Sequence, residues 1–172
     1  YLFFGLSVLV ILEGIILLAT PVAQIAFRSL RLKQGQKKFF DLLGLLVLFM
    51  IFVSVVILLI GAFFGKDLML MVFGEQYNLA SILLPLLLFS ILFILPNYIL
   101  TQGAISMNKE ISYAKIVVFV ALLNVGLNAW FIPDYGAMGA AWATIFSEGV
   151  LFFGLVYVML REYIGKKSAN WS

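Results

Sequence analysis

The sequence predicts an all-α fold: a polytopic membrane helix bundle with five transmembrane helices. Three observations predict it. Of 172 residues, 65% are hydrophobic and only 11% are charged, too few charges to cover a soluble domain of this size. The apolar residues gather into five runs starting near Tyr1, Leu42, Leu79, Ile116 and Ala137. Each run supplies the ~20 helical residues that cross a hydrocarbon core of about 30 Å. Membrane strands would be about half as long and would alternate polar with apolar residues, and these runs do not alternate. The third observation is charge placement. Of 11 Lys and Arg residues, all but Lys66 fall into alternate gaps between the runs, the positive-inside pattern of a multi-pass protein.

The first span is expected over residues 2–27, running inward. It ends in the basic stretch 28–38, which holds Arg28, Arg31, Lys33, Lys37 and Lys38. The second, over 39–63, returns outward, and residues 42–64 contain no ionisable side chain. Residues 67–77, DLMLMVFGEQY, are too short to span, and their apolar face predicts a short helix lying in the interface. The third span, 79–102, contains Pro85 and Pro96; Pro96 frees a backbone carbonyl and predicts a bend. The fourth, 112–132, leads to an external turn at Pro133, Asp134, Tyr135 and Gly136. The fifth, 137–160, ends before the basic tail with Arg161, Lys166 and Lys167.

Tyr77, Trp130 and Tyr135 fall near the outer boundary, and Tyr98, Tyr113, Tyr163 and Trp171 near the inner one, where aromatic rings anchor helices at headgroup level. The pattern places the stretch 28–38 and the C-terminus in the cytoplasm. Without repeats or linkers, residues 1–172 form a single membrane domain. The sequence opens on Tyr1 inside an apolar run, as a piece of a longer protein would.

The chain contains no Cys and no His, which removes thiolate chemistry and the commonest metal ligand and general base. No Walker-type nucleotide loop is present. An enzyme is not expected, nor a cofactor or a metal site. The basic stretches serve topology and contact anionic membrane lipid, not nucleic acid, because no soluble basic domain carries them.

Two carboxylates, Glu13 and Glu148, sit near the middle of their spans. A charge there costs at least about 2.5 kcal/mol, so such groups face a cavity or a partner. No Lys or Arg occupies a span centre to neutralise them. One reading is a coupling site for a proton or a sodium ion, or the polar lining of a transport cavity; the other is a neutral Glu making an interhelical hydrogen bond. Thr20 and Gln24 follow Glu13 on one helix face. Ser90, Asn97 and Thr101 form a similar row on the third span, and Asn124 and Asn128 lie one turn apart on the fourth. Such rows either line a wet pathway or join helices at about 1 kcal/mol per contact. Gly139, Ala143 and Ser147 form a ridge of small residues beside Ala140, Thr144 and Glu148, which permits close helix approach and turns Glu148 toward protein.

Phe73, Gly74, Glu75 and Tyr77, with the stretch NVGLNAWFIPDYGAMGAAWAT over residues 124–144, carry a family resemblance. This combination of Asn-rich helix, Pro-x-Tyr-Gly turn and Gly-Ala-Ala helix start resembles the polysaccharide flippases of the multidrug/oligosaccharidyl-lipid/polysaccharide exporter superfamily. The resemblance spans nearly the whole chain as the C-terminal portion of such a protein, part of one lobe of a two-lobed transporter. It implies a lipid-linked oligosaccharide on a polyprenyl pyrophosphate as substrate, alternating access in the plasma membrane, and the missing N-terminal lobe as partner. The expected cavity is lined by Glu13, Asn97, Asn124, Asn128 and Glu148. A cation-coupled multidrug exporter of the same superfamily and a non-transporting membrane scaffold are the alternatives.

Overall fold

The computed structural model describes residues 24–33, 35–74 and 78–169, and among these there is no strand. Residues 24–33 form helix α1, so the basic stretch is helical through Arg28, Arg31 and Lys33. The chain breaks at Gly35, whose φ of 84° lies in a region that glycine enters without steric cost. Helix α2 then runs over Gln36–Phe73, α3 over Asn78–Ser106 and α4 over Glu110–Ala169. The expected first span lies outside the described residues except for 24–27.

Three helices, α2, α3 and α4, are long and apolar enough to cross a membrane. With 38 residues, α2 is about 57 Å long at 1.5 Å per residue, well beyond the second span as expected. Residues 67–73, expected as a separate interfacial helix, continue α2 instead. Nothing in that stretch breaks a helix before Gly74, whose φ of 85° ends it while its N–H bonds the Leu70 carbonyl at 2.9 Å.

The 60 residues of α4 fold back on themselves at Gly136, where φ 56° and ψ −131° leave the helical region. The two arms, 110–135 and 137–169, run antiparallel. Asn124 meets Ser147, and Ile116 lies against Gly154. Near the fold a Cβ on Gly139 would sit 2.5 Å from the Phe131 carbonyl oxygen. Only a glycine admits that backbone, so the arms close tightly just beyond the turn. The expected external turn and the observed reversal therefore coincide.

α3 lies between α2 and the second arm. Gly61 and Gly65 of α2 face Leu88 and Leu84 of α3, which makes α2 and α3 antiparallel neighbours. Ser54, fully buried and the only hydroxyl in the apolar part of α2, lies 2.9 Å from the Ile91 carbonyl of α3 and 2.8 Å from its own Met50 carbonyl. The assigned helix α3 continues unbroken through Pro85 and Pro96.

The densest packing is at one end. Phe27, Phe39, Leu43, Leu100, Ala104, Met107, Leu155 and Met159 form one buried cluster. Phe27 meets Phe39 edge-on at 6.0 Å, and Phe40 meets Tyr163 at 5.1 Å. Around this cluster stand Lys37, Lys38, Lys109, Lys115 and Arg161. Lys109 bonds Glu162 at 2.6 Å and ties the α3–α4 turn to the end of the second arm. The opposite end carries Lys66, Asp67 and Asp134. The charge alternation of the sequence thus becomes a charge difference between the ends of the bundle.

Gly139→Ala should destabilise the hairpin by about 1–3 kcal/mol, because the backbone opposite cannot yield as a side chain would. Gly126→Ala, whose added methyl meets nothing within 4 Å, should be neutral. Thermal unfolding of the two variants in detergent checks the contrast.

Candidate functional site

Hydrocarbon offers no partner to a polar side chain, so an Asn or Glu on a spanning helix turns toward a neighbouring helix. In α3, Asn97 follows Pro96, and both are buried, Asn97 to 4% exposure. A Cβ on Gly149 of the second arm would lie 3.8 Å from the Phe93 ring, an ordinary contact, so the two helices lie together beside Asn97. The Asn97 Nδ2 donates to the Glu148 carboxylate Oε2 at 2.9 Å and lies 3.1 Å from the Glu148 backbone carbonyl. Its Oδ1, equally buried, has no partner.

The adjacent residue of the second arm extends the contact to the first arm. Ser147 is buried, and its Oγ accepts a hydrogen bond from Asn124 Nδ2 at 3.0 Å; the same nitrogen lies 3.5 Å from the Ala143 carbonyl. Asn128 Nδ2 in turn lies 2.9 Å from both the Asn124 Oδ1 and its backbone carbonyl. Asn97, Glu148, Ser147, Asn124 and Asn128 thus form a polar layer across α3 and both arms of α4. Residues 42–65, 83–106, 116–132 and 137–160 contain one Asp, Glu, Lys or Arg among them, Glu148.

Of the residues singled out in the sequence, Asn97, Asn124, Asn128 and Glu148 come together. Glu13 and Thr20 lie outside the described residues. Gln24 is half-buried on α1 and does not join the layer. Thr144 donates to the Ala140 carbonyl of its own helix at 3.0 Å, and Ser90 to the Leu87 carbonyl at 2.6 Å. Their positions in polar rows did not translate into contacts between helices, because a hydroxyl can satisfy itself on the preceding turn. Ser147 acts as more than a small ridge residue. Its place beside Glu148 was the available signal, as the isolation of Ser54 in an apolar run was for the α2–α3 contact.

The layer can do two kinds of chemistry. Its amides and hydroxyls can exchange hydrogen bonds with a polar group that enters between the helices. Its one carboxyl, bonded to a buried amide, can gain or lose a proton. Among the described residues no group of three or more His, Cys, Asp and Glu gathers as a metal site.

No protein-family model and no solved structure matches the chain. It is 28% identical over 150 residues to the capsular polysaccharide biosynthesis protein CapF of Staphylococcus aureus, a match over 86% of this chain and 38% of CapF. The chain is thus distantly similar to a polysaccharide biosynthesis protein and spans well under half of that protein's length.

Asn124→Ala and Ser147→Ala should each destabilise the hairpin by about 1 kcal/mol, and the double variant by less than their sum. A double-mutant cycle on unfolding in detergent measures the coupling, expected at roughly 0.6–1.7 kcal/mol.

Proposed function

We propose that the chain is the C-terminal part of a transporter that flips lipid-linked oligosaccharide, carried on a polyprenyl pyrophosphate, across the plasma membrane by alternating access. The observation that carries this reading is the similarity to a capsular polysaccharide biosynthesis protein in a chain built of membrane-length apolar helices. A sugar made at the inner face cannot cross hydrocarbon unaided, since each desolvated hydroxyl costs kilocalories without a hydrogen-bond partner. A helical membrane protein with a polar layer at mid-depth can supply such partners. In this reading five helices span the membrane, the basic ends with residues 28–38 and the C-terminal tail face the cytoplasm, and the chain performs no catalysis. Glu148, Asn97, Asn124 and Asn128 are its share of the passage, with Glu13, Thr20 and Gln24 of the first span added. The missing N-terminal lobe completes the cavity, and a proton or a sodium ion couples the cycle.

A cation-coupled multidrug exporter is the second reading. It is favoured by the absence of Lys and Arg from the four described apolar segments, because a pyrophosphate calls for cations. In a flippase those cations come from the remainder of the protein.

Glu148→Gln in the full-length protein should lower export of surface polysaccharide by on the order of tenfold, the equivalent of a lost hydrogen bond to a charged group. Unchanged export rules out a role for the layer in transport, and lost drug efflux with normal polysaccharide selects the second reading. The chain has no native Cys, so single cysteines replacing Lys37 and Asp134 report topology directly. An impermeant thiol reagent added outside intact cells should label the second and not the first. Labelling of both from one face would remove the orientation.

A further inference from the structure

Asn97 has one satisfied end and one orphaned end. Its Nδ2 is within hydrogen-bond distance of two oxygens of Glu148, while Oδ1 of the same amide, in a side chain more than nine-tenths buried, has no donor. Leaving a buried acceptor unpaired is destabilising, since it has lost water and gained no donor. The amide of Asn97 holds donor and acceptor side by side, and the matching group is a carboxylic acid, which also carries one of each. An ionised carboxylate can only accept. It would leave Oδ1 unmatched and set two electron-rich oxygens near each other.

We propose that Asn97 and Glu148 together bind one proton, in a cyclic amide–acid pair. On uptake, an O–H bond forms at Glu148 Oε1 and the negative charge of the carboxylate is cancelled. Oε2 keeps the hydrogen bond from Asn97 Nδ2, and the new hydroxyl donates to Asn97 Oδ1. Release reverses both changes and returns the proton to water on whichever side has access. The pair fits a proton better than a metal ion. Hard cations such as calcium and magnesium surround themselves with six or more oxygens, and only a carboxyl and one amide oxygen meet here.

Among the described residues no other charge competes for Glu148. α3 carries no Asp, Glu, Lys or Arg, and its titratable group near this level is Tyr98, next to Asn97. The first arm has none of these residues from 116 to 132 and no tyrosine there, and on the second arm the nearest titratable side chain in sequence is Tyr157. Protonation therefore changes the local charge from minus one to zero with no charge of the described residues nearby to offset it. That alters the cost of opening the α3–α4 contact to water. The proposal rests on the transporter reading only for its use in a cycle; the proton site itself needs no substrate.

Infrared spectroscopy of the full-length protein in lipid, with Glu148→Gln subtracted, isolates this carboxyl. A protonated C=O band, absent from Glu148→Gln, should be present. In Asn97→Leu the band should move to higher frequency, because the bond to Oδ1 is lost. In Asn97→Asp, which keeps the size of the side chain, two carboxyls share one proton and the band should shift as well. Absence of the band at every pH overturns the proposal, and so does a band unmoved by both Asn97 substitutions. The readout requires no transport, so its failure is distinct from normal polysaccharide export in Glu148→Gln, which would remove the layer from the transport reading instead.

Discussion

Lipid tails solvate leucine as well as another leucine does, and this removes the force that assembles a soluble core. Many large apolar side chains of α2 and α4 accordingly lie exposed, among them Leu45, Leu48, Phe52, Phe63, Phe119, Leu122, Phe153 and Tyr157. What remains to hold helices together is close packing and hydrogen bonding between them. The bundle uses both at each contact. Between α2 and α3, Gly61 and Gly65 accept the side chains of Leu88 and Leu84, and Ser54 reaches a carbonyl across the contact. Between the arms of α4, Gly139 meets the opposing backbone and Asn124 bonds Ser147. Between α3 and the second arm, Phe93 packs beside Gly149 and Asn97 bonds Glu148.

The three contacts differ in what their polar groups have left over. Ser54 is served by carbonyls and its role ends there. Asn124 donates to Ser147 and accepts from Asn128, so it is satisfied at both ends of the amide. Only the Asn97–Glu148 contact joins an ionisable group to a buried acceptor without a donor. Structural glue gains nothing from that mismatch, whereas a group that changes protonation state during a cycle requires it in one of its states. At the proposed proton site, hydrogen-bond valence is what separates function from packing.

Membrane class, helical content and charge segregation were legible in the sequence because each follows from one-dimensional information: the length of an apolar run and the order of charged gaps. The reversal at Gly136 was legible for the same reason, since Pro133, Asp134 and Gly136 cluster between two apolar runs. The end of α2 was not. Residues 67–73 mix charge with apolar side chains, and an interfacial helix and an extended span read alike until Gly74 is seen to be the break. The polar layer was half legible. Spacing along a helix shows which residues share a face, as Asn124 and Asn128 do, but which face meets which helix depends on helix order around the bundle. Thr144 shares a ridge with Glu148 and still bonds within its own helix.

The layer's position explains why these polar residues are tolerated at all. Ser147 and Glu148 are adjacent on the second arm and so point to different neighbours, one toward the first arm and one toward α3. A single turn of helix thereby couples both contacts. Any movement of α3 that separates Asn97 from Glu148 exposes a carboxyl to the new opening while Ser147 still holds the hairpin closed through Asn124. The contact lies where the hairpin meets α3, which packs on α2 as well. Of the three contacts, the one that opens at least cost is this one, whose buried acceptor already lacks a donor.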